Sequence, residues 1–252
     1  MTSSAWKIDR QCVRLQLAHL AGTIDLAEPA RGLVGLRAGS DRLEDAALLG
    51  IEVPSSAAGD GKSLSERRVR GSFLTAAYQG SEDWPVSVEA TWRAEGPSAS
   101  NAALATLGLV VSVETQVLDI RPELAVGSDL PTTNVSRLVD AQAPRFESVG
   151  GEFPRVIEPG GGPGCLLFRF PESDLSYAEM VHPLDFLEGR LQGSAGLRPT
   201  VRLRHRLFGG PLEKGVILRA RVCGMLLRQD GDAQIAAECY ASFVAAEPPL
   251  GA

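Results

Sequence analysis

Thr200-Val201-Arg202-Leu203-Arg204-His205-Arg206-Leu207 alternates apolar and polar residues without a break, and the chain that follows repeats the rhythm. A period of two puts Val201, Leu203, His205 and Leu207 on one side of an extended strand and Arg202, Arg204 and Arg206 on the other. Gly209-Gly210-Pro211 ends the run, and from Val216 to Arg228 the alternation resumes, with Val216, Leu218, Ala220, Val222 and Leu226 opposite Arg219 and Arg221. Gln229-Asp230-Gly231-Asp232 carries the Asp-Gly pair that favours tight hairpins. Ile235, Ala237, Cys239, Ala241 and Phe243 then alternate with Glu238, Tyr240 and Ser242. The spacing predicts a three-stranded antiparallel meander, apolar on one face and arginine-rich on the other. Ile217, Met225 and Leu227 lie opposite Val216 and Leu226, so part of this meander is expected to be covered on both faces, by another layer or by a second copy of the chain.

The same period runs through the rest of the sequence. Val13, Leu15 and Leu17 alternate with Arg14 and Gln16, and Thr23–Leu26 and Leu33–Arg37 read as further strands. Pro85–Arg93 and Leu107–Leu118 read as a hairpin whose arms exceed the average strand of about 5 to 6 residues, with Arg93 and Glu114 expected opposite each other on its polar face. Helical signals are short: Asp41 with Glu44 three residues on, ahead of Ala46-Ala47-Leu48, forms a capping box, and Ser100-Asn101 suits one turn. Pro54–Ser65 reads as a surface loop, and the Pro- and Gly-rich stretch Asp119–Pro163 as loops and edge strands. These readings predict an all-β chain: a large two-layer antiparallel β-sandwich, with one or two very short helices, as one domain over residues 1–252.

Composition narrows the function classes. A chain of 252 residues buries roughly 70 to 75% of its unfolded surface and needs neither metal nor disulfide to hold a core. A net charge of -6 argues against a general nucleic-acid or membrane-surface binder. Cys12, Cys165, Cys223 and Cys239 show no Cys-x-x-Cys spacing, and the N-terminal residues contain no apolar core of signal-peptide length. The expectation is a reduced, soluble, cytoplasmic protein with no metal and no cofactor. Only three of its 25 basic residues are Lys.

Three groups of residues could carry chemistry. Gly160-Gly161-Gly162-Pro163-Gly164 fails as a phosphate loop, because Pro163 lacks a donor N–H and Cys165–Phe170 reads as strand rather than helix. Ser176-Tyr177-Ala178-Glu179-Met180-Val181-His182-Pro183 holds a carboxylate and an imidazole near a strand end, so Glu179 and His182 could serve as general base and acid. Residues three apart on a strand point to opposite faces, however, and the pair need not meet. Arg202, Arg204, Arg206, Arg219 and Arg221 would form a guanidinium face that must meet acids such as Glu238, water or an anionic ligand.

The run of strands, and the paired arms Val86–Trp92 with Leu107–Val117 and Val201–Leu207 with Val216–Leu226, resemble the galactose mutarotase-like supersandwich family. His182-Pro183-Leu184-Asp185-Phe186-Leu187 is similar to that family's histidine-led aromatic segment on a sugar-binding strand, departing from it at Leu184 and Asp185, where an aromatic and a polar amide would stand. The resemblance does not place the family's catalytic glutamate on any position here, so epimerase activity is not carried over. The resemblance implies a broad sheet that binds carbohydrate in its concave face. Three readings follow: a non-catalytic carbohydrate-binding domain, for an anionic sugar held by Arg202, Arg204, Arg206, Arg219, Arg221 and Tyr177; a sugar epimerase working through Glu179 and His182; or an assembly protein docking an acidic partner or a second copy of itself.

Overall fold

The computed structural model describes residues 4–53, 64–97, 102–150, 153–194 and 199–247, which form two antiparallel sheets, two 3-10 turns and one α-helix. Sheet I has the spatial order β1 (Trp6–Asp9), β2 (Cys12–Gln16), β3 (Ala21–Asp25), β4 (Leu33–Ala38), β6 (Ala47–Glu52), β11 (Leu124–Leu130), β18 (Thr200–Leu207), β17 (Glu188–Ser194) and β14 (Arg155–Ile157), with β5 (Asp41–Leu43) paired to β4. Sheet II runs β13 (Arg145–Ser148), β12 (Val135–Asp140), β15 (Cys165–Arg169), β16 (Leu175–Val181), β19 (Leu218–Arg228), β10 (Ala105–Thr115), β9 (Val86–Glu95), β8 (Phe73–Tyr78) and β7 (Leu64–Arg70). The inward side chains of both sheets merge into one core: Val126, Val201, Leu203 and Leu207 from sheet I meet Trp92, Leu109, Val111, Val222 and Leu226 from sheet II. Each such side chain contributes roughly 1.5 to 3 kcal/mol by leaving water.

The long hairpin is present in the register that alternation demands, from Val86↔Thr115 to Glu95↔Thr106. Arg93 faces Gly108 rather than Glu114, and its guanidinium pairs with Glu95 two residues along its own strand. Helix α1 (Asp232–Ala245) lies on the outer side of sheet II, burying Ala236, Ala237 and Tyr240 against Cys165, Leu167, Ala178, Met180, Cys223, Met225 and Leu227. The chain's own helix therefore covers Met225 and Leu227 on the outer side of the last strand, whereas Val216 and Ile217 precede that strand and are exposed.

The predicted meander is not what forms. β18 and β19 lie in different sheets, β18 between β11 and β17, and β19 between β16 and β10. Alternation gives each strand a dry side without saying from which sheet that side faces the core. The connection Phe208 to Ile217 is long enough to cross the ~10 Å between packed sheets, and Leu212 anchors it by a bridge to Ile120. The third run is helical. The helix that includes it, Asp232–Ala245, contains five alanines, the best helix former, and the buried residues within the run are Ala236, Ala237 and Tyr240, at helical spacing. Asp41–Leu43 is a short strand, because three residues paired to β4 satisfy their backbone where an isolated two-turn helix could not nucleate. Residues 54–63 of the predicted Pro54–Ser65 loop, and Ser100-Asn101, lie outside the described residues; Leu64 and Ser65 open β7.

Candidate functional site

The predicted guanidinium face is divided between the two outer surfaces of the sandwich. Arg202, Arg204 and Arg206 project from the outer side of sheet I, whereas Arg219 and Arg221 project from the outer side of sheet II, since the apolar alternates of both strands enter the common core. On sheet I the arginines are neutralised by neighbouring acids. Arg204 is 14% exposed and contacts Glu52 at 2.6 Å and Asp129 at 2.7 Å. Arg202 pairs with Asp129 at 3.1 Å, and Arg206 approaches Glu188 at 3.9 Å. Together with Arg190 and Gln192 they line a polar groove of about 640 Å³. Glu238, expected among their partners, is on α1 and accepts from Gln234 instead.

Glu179 and His182 are separated by the pleat, as their spacing implied. Tyr177, Glu179 and Val181 face the interior of the sandwich while Ala178 and Met180 face α1. Both Glu179 and Tyr177 are sealed from solvent. Tyr177 therefore lines neither groove; its hydroxyl donates to Glu179 Oε2 at 3.0 Å, and Ser128 donates to the same oxygen. Ser128 Oγ in turn accepts the Leu49 N–H at 3.0 Å. His205, in the apolar register of β18, places Nε2 3.2 Å from Glu179 Oε1, near enough for an ion pair though bent away from a straight hydrogen bond. Burial, with the Glu179 carboxyl beside it, holds the Tyr177 hydroxyl well above its usual pKa. The ring fits because Gly224, the cross-strand partner of Glu179, has no Cβ: one added there would sit 2.1 Å from the Tyr177 hydroxyl. This cluster ties sheet I to sheet II inside the core.

His182 sits on the other side. Its Nδ1 accepts from Leu184 N at 3.3 Å, which assigns the proton to Nε2, 3.4 Å from the Val244 carbonyl at the end of α1. Its ring meets Phe243 edge-on. The rest of the His182–Leu187 segment is equally structural. Asp185 accepts the Arg221 N–H at 2.9 Å, and burial raises the pKa of its carboxyl despite that bond. Phe186 packs against His205 and under the guanidinium of Arg137. Arg137 also explains the glycine-rich stretch: its guanidinium donates to the carbonyls of Glu158, Gly162 and Pro163, so the loop presents oxygens to a cation where a phosphate cradle presents N–H groups.

The outer face of sheet II carries a second groove, of about 620 Å³, floored by β8, β9, β10 and β19 and walled by the C-terminal end of α1. Cross-strand pairing sets its rows: Glu89, Ser112 and Arg219 in one, and Thr91, Val110 and Arg221 in the next. Phe73 lies under Arg93 at 5.5 Å and Phe243 under Arg221 at 6.0 Å. Arg221 is held by the Ala246 carbonyl at 2.9 Å and by Asp185 at 3.9 Å. Of the sequence-selected residues, this groove gathers Arg219 and Arg221. Glu89, Arg93 and Ser112 are not among the site residues read from the sequence, although they occupy the polar alternates of the predicted hairpin. Among the described residues no cluster of His, Cys, Asp and Glu could hold a metal ion, and no helix is long and apolar enough to cross a membrane.

No protein-family model matches the sequence, and no curated protein matches it. Solved structures do match the fold. One described as a candidate aldose 1-epimerase, from Escherichia coli K12, has 12% identity and a TM-score of 0.58, covering 85% of this chain and 98% of that one. Another candidate aldose 1-epimerase, from Klebsiella pneumoniae, has 8% identity and a TM-score of 0.57, covering 96% and 87%. A galactose mutarotase-like protein from Lactobacillus casei has 10% identity and a TM-score of 0.51, covering 85% and 99%. The two large antiparallel sheets and these likenesses together show that the chain has the galactose mutarotase-like fold.

Proposed function

We propose that the groove on the outer face of sheet II binds a carbohydrate bearing an anionic group, without transforming it. The observation that carries this reading is Arg219, whose guanidinium is exposed in the groove and has no ion-pair partner among the described residues, while Arg93 and Arg221 beside it are engaged. A free guanidinium fork matches a carboxylate in two hydrogen bonds. Thr91 and Ser112 offer hydroxyls to a sugar's own, and Phe73 and Phe243 offer apolar ring surface at two edges of the groove. The fold neighbours described as aldose epimerases support carbohydrate as the ligand class. The non-catalytic reading is supported by Glu179 and His182, which point to opposite sides of β16, the first into the sealed core.

The test is calorimetric titration with glucuronate and glucose at low and high salt. Glucuronate binds more tightly than glucose, salt weakens it, and Arg219→Gln reduces its affinity about tenfold, the loss of one charge-assisted contact. Equal affinity for the two sugars at all salt concentrations would overturn the anionic reading, and no binding of either would overturn the groove as a sugar site. An epimerase is the second reading, favoured by the unpaired carboxylate of Glu89 in the same groove. Acceleration of glucose anomer exchange in a magnetisation-transfer experiment would establish it over the first.

A further inference from the structure

Resting on the sugar-binding reading, we infer that the groove selects a zwitterionic saccharide, one carrying both a carboxylate and a protonated amine. Pairing leaves two groove charges on one row without partners. Arg93 is engaged by Glu95 and Arg221 by Asp185, whereas Glu89 and Arg219 make no ion pair among the described residues. Both are cross-strand neighbours of Ser112, Glu89 through β9 and Arg219 through β19, so all three share the outer face. Two strand spacings put the Glu89 and Arg219 Cα atoms about 10 Å apart with β10 between them. Ser112 is short and fills little of the space above that strand. The result is an anionic and a cationic group on either side of a hydroxyl, a span that one sugar ring with its substituents can bridge.

A carboxylate on the ligand meets the Arg219 fork, its ammonium meets Glu89, and a ring hydroxyl meets Ser112. Each charge on the ligand then finds its opposite, whereas a purely acidic sugar would bring its anion close to an uncompensated Glu89. A purely basic sugar would suffer the same from Arg219.

The experiment compares glucuronate, glucosamine, 2-amino-2-deoxyglucuronate and its N-acetylated form by calorimetry at slightly acidic pH, where the amine is charged. The amino-sugar acid binds at least tenfold more tightly than glucuronate or glucosamine, and N-acetylation abolishes the gain. Glu89→Gln removes the preference for the amine and strengthens glucuronate binding severalfold, because the carboxylate that its anion faced is gone. Arg219→Gln weakens both acids, and Arg202→Gln, on the opposite sheet, changes neither. If the N-acetylated form binds as tightly as the free amine, or if Glu89→Gln keeps the preference, the zwitterion inference fails while the acidic-sugar site stands. If none of the four sugars binds, both fail together.

Discussion

Glu179 is the residue whose surroundings decide what the interior of this protein does. Its carboxyl collects the hydroxyls of Tyr177 and Ser128 and the imidazole of His205, all buried. A polar group removed from water is tolerated only when its partners are present. Glu179→Ala removes the acceptor of both hydroxyls and the carboxylate beside His205, and is expected to destabilise the fold by about 3 to 5 kcal/mol, read as a shift of the urea midpoint, with sugar affinity unchanged. A loss below about 1 kcal/mol would mean the cluster is not holding the sheets together. Cys223 makes a separate prediction, about pH. Burial beneath α1 raises its thiol from 9.0 to about 12. Above the unfolded value the unfolded chain releases this proton while the folded chain keeps it, so stability falls as pH rises from about 9 to about 12. One such thiol contributes at most about 1.4 kcal/mol per pH unit. Cys223→Ala is therefore expected to flatten the alkaline loss of stability measured by urea titration, and an unchanged slope would contradict burial of the thiol.

The element that reorganises the C-terminal end is α1. Asp232 opens it with a two-pronged contact to Arg169, both bonds 2.8 Å, its own side chain 3% exposed. At the other end Arg221 and His182 reach the Ala246 and Val244 carbonyls. Asp232→Ala is expected to cost about 2 kcal/mol, below a fully buried pair because Arg169 is partly solvated. If α1 undocks as a local unit, labelling of Cys165 and Cys223 by a thiol reagent speeds up by about 30-fold; unchanged labelling would mean the helix does not detach before global unfolding. Alternation in Ile235–Phe243 concealed this helix, since short runs rich in alanine satisfy both a two-residue and a helical period. In β9 and β10 the apolar set is dominated by Val, Trp and Leu, and there both arms of the hairpin were legible; the pairing within it was not, since Arg93 lies opposite Gly108 and Glu114 opposite Ser87.

Across the whole molecule, the sandwich was readable because both sheets obey one rule, inward apolar and outward polar. The site was not, because the rule does not say which strands are neighbours. β18 and β19 are consecutive yet lie on opposite sheets, and that alone moves Arg202, Arg204 and Arg206 to a surface where Glu52, Asp129 and Glu188 neutralise them. Arg219 is left on the other side, in a row completed by Glu89 from a strand 130 positions earlier. Pairings of that kind, with β11 and β18 also joined across some 75 residues, carry a large loop-closure cost, so refolding from urea is expected on the scale of seconds and through an intermediate. Single-exponential recovery within milliseconds would speak against this topology. The surface proposed to bind sugar is the outer face of sheet II. A crystal structure of the protein with glucuronate tests it: the ligand carboxylate is predicted against Arg219, over Ser112 and beside Glu89. Density for the sugar over Arg202 and Arg204 on sheet I, or beside Glu179 in the core, would contradict it.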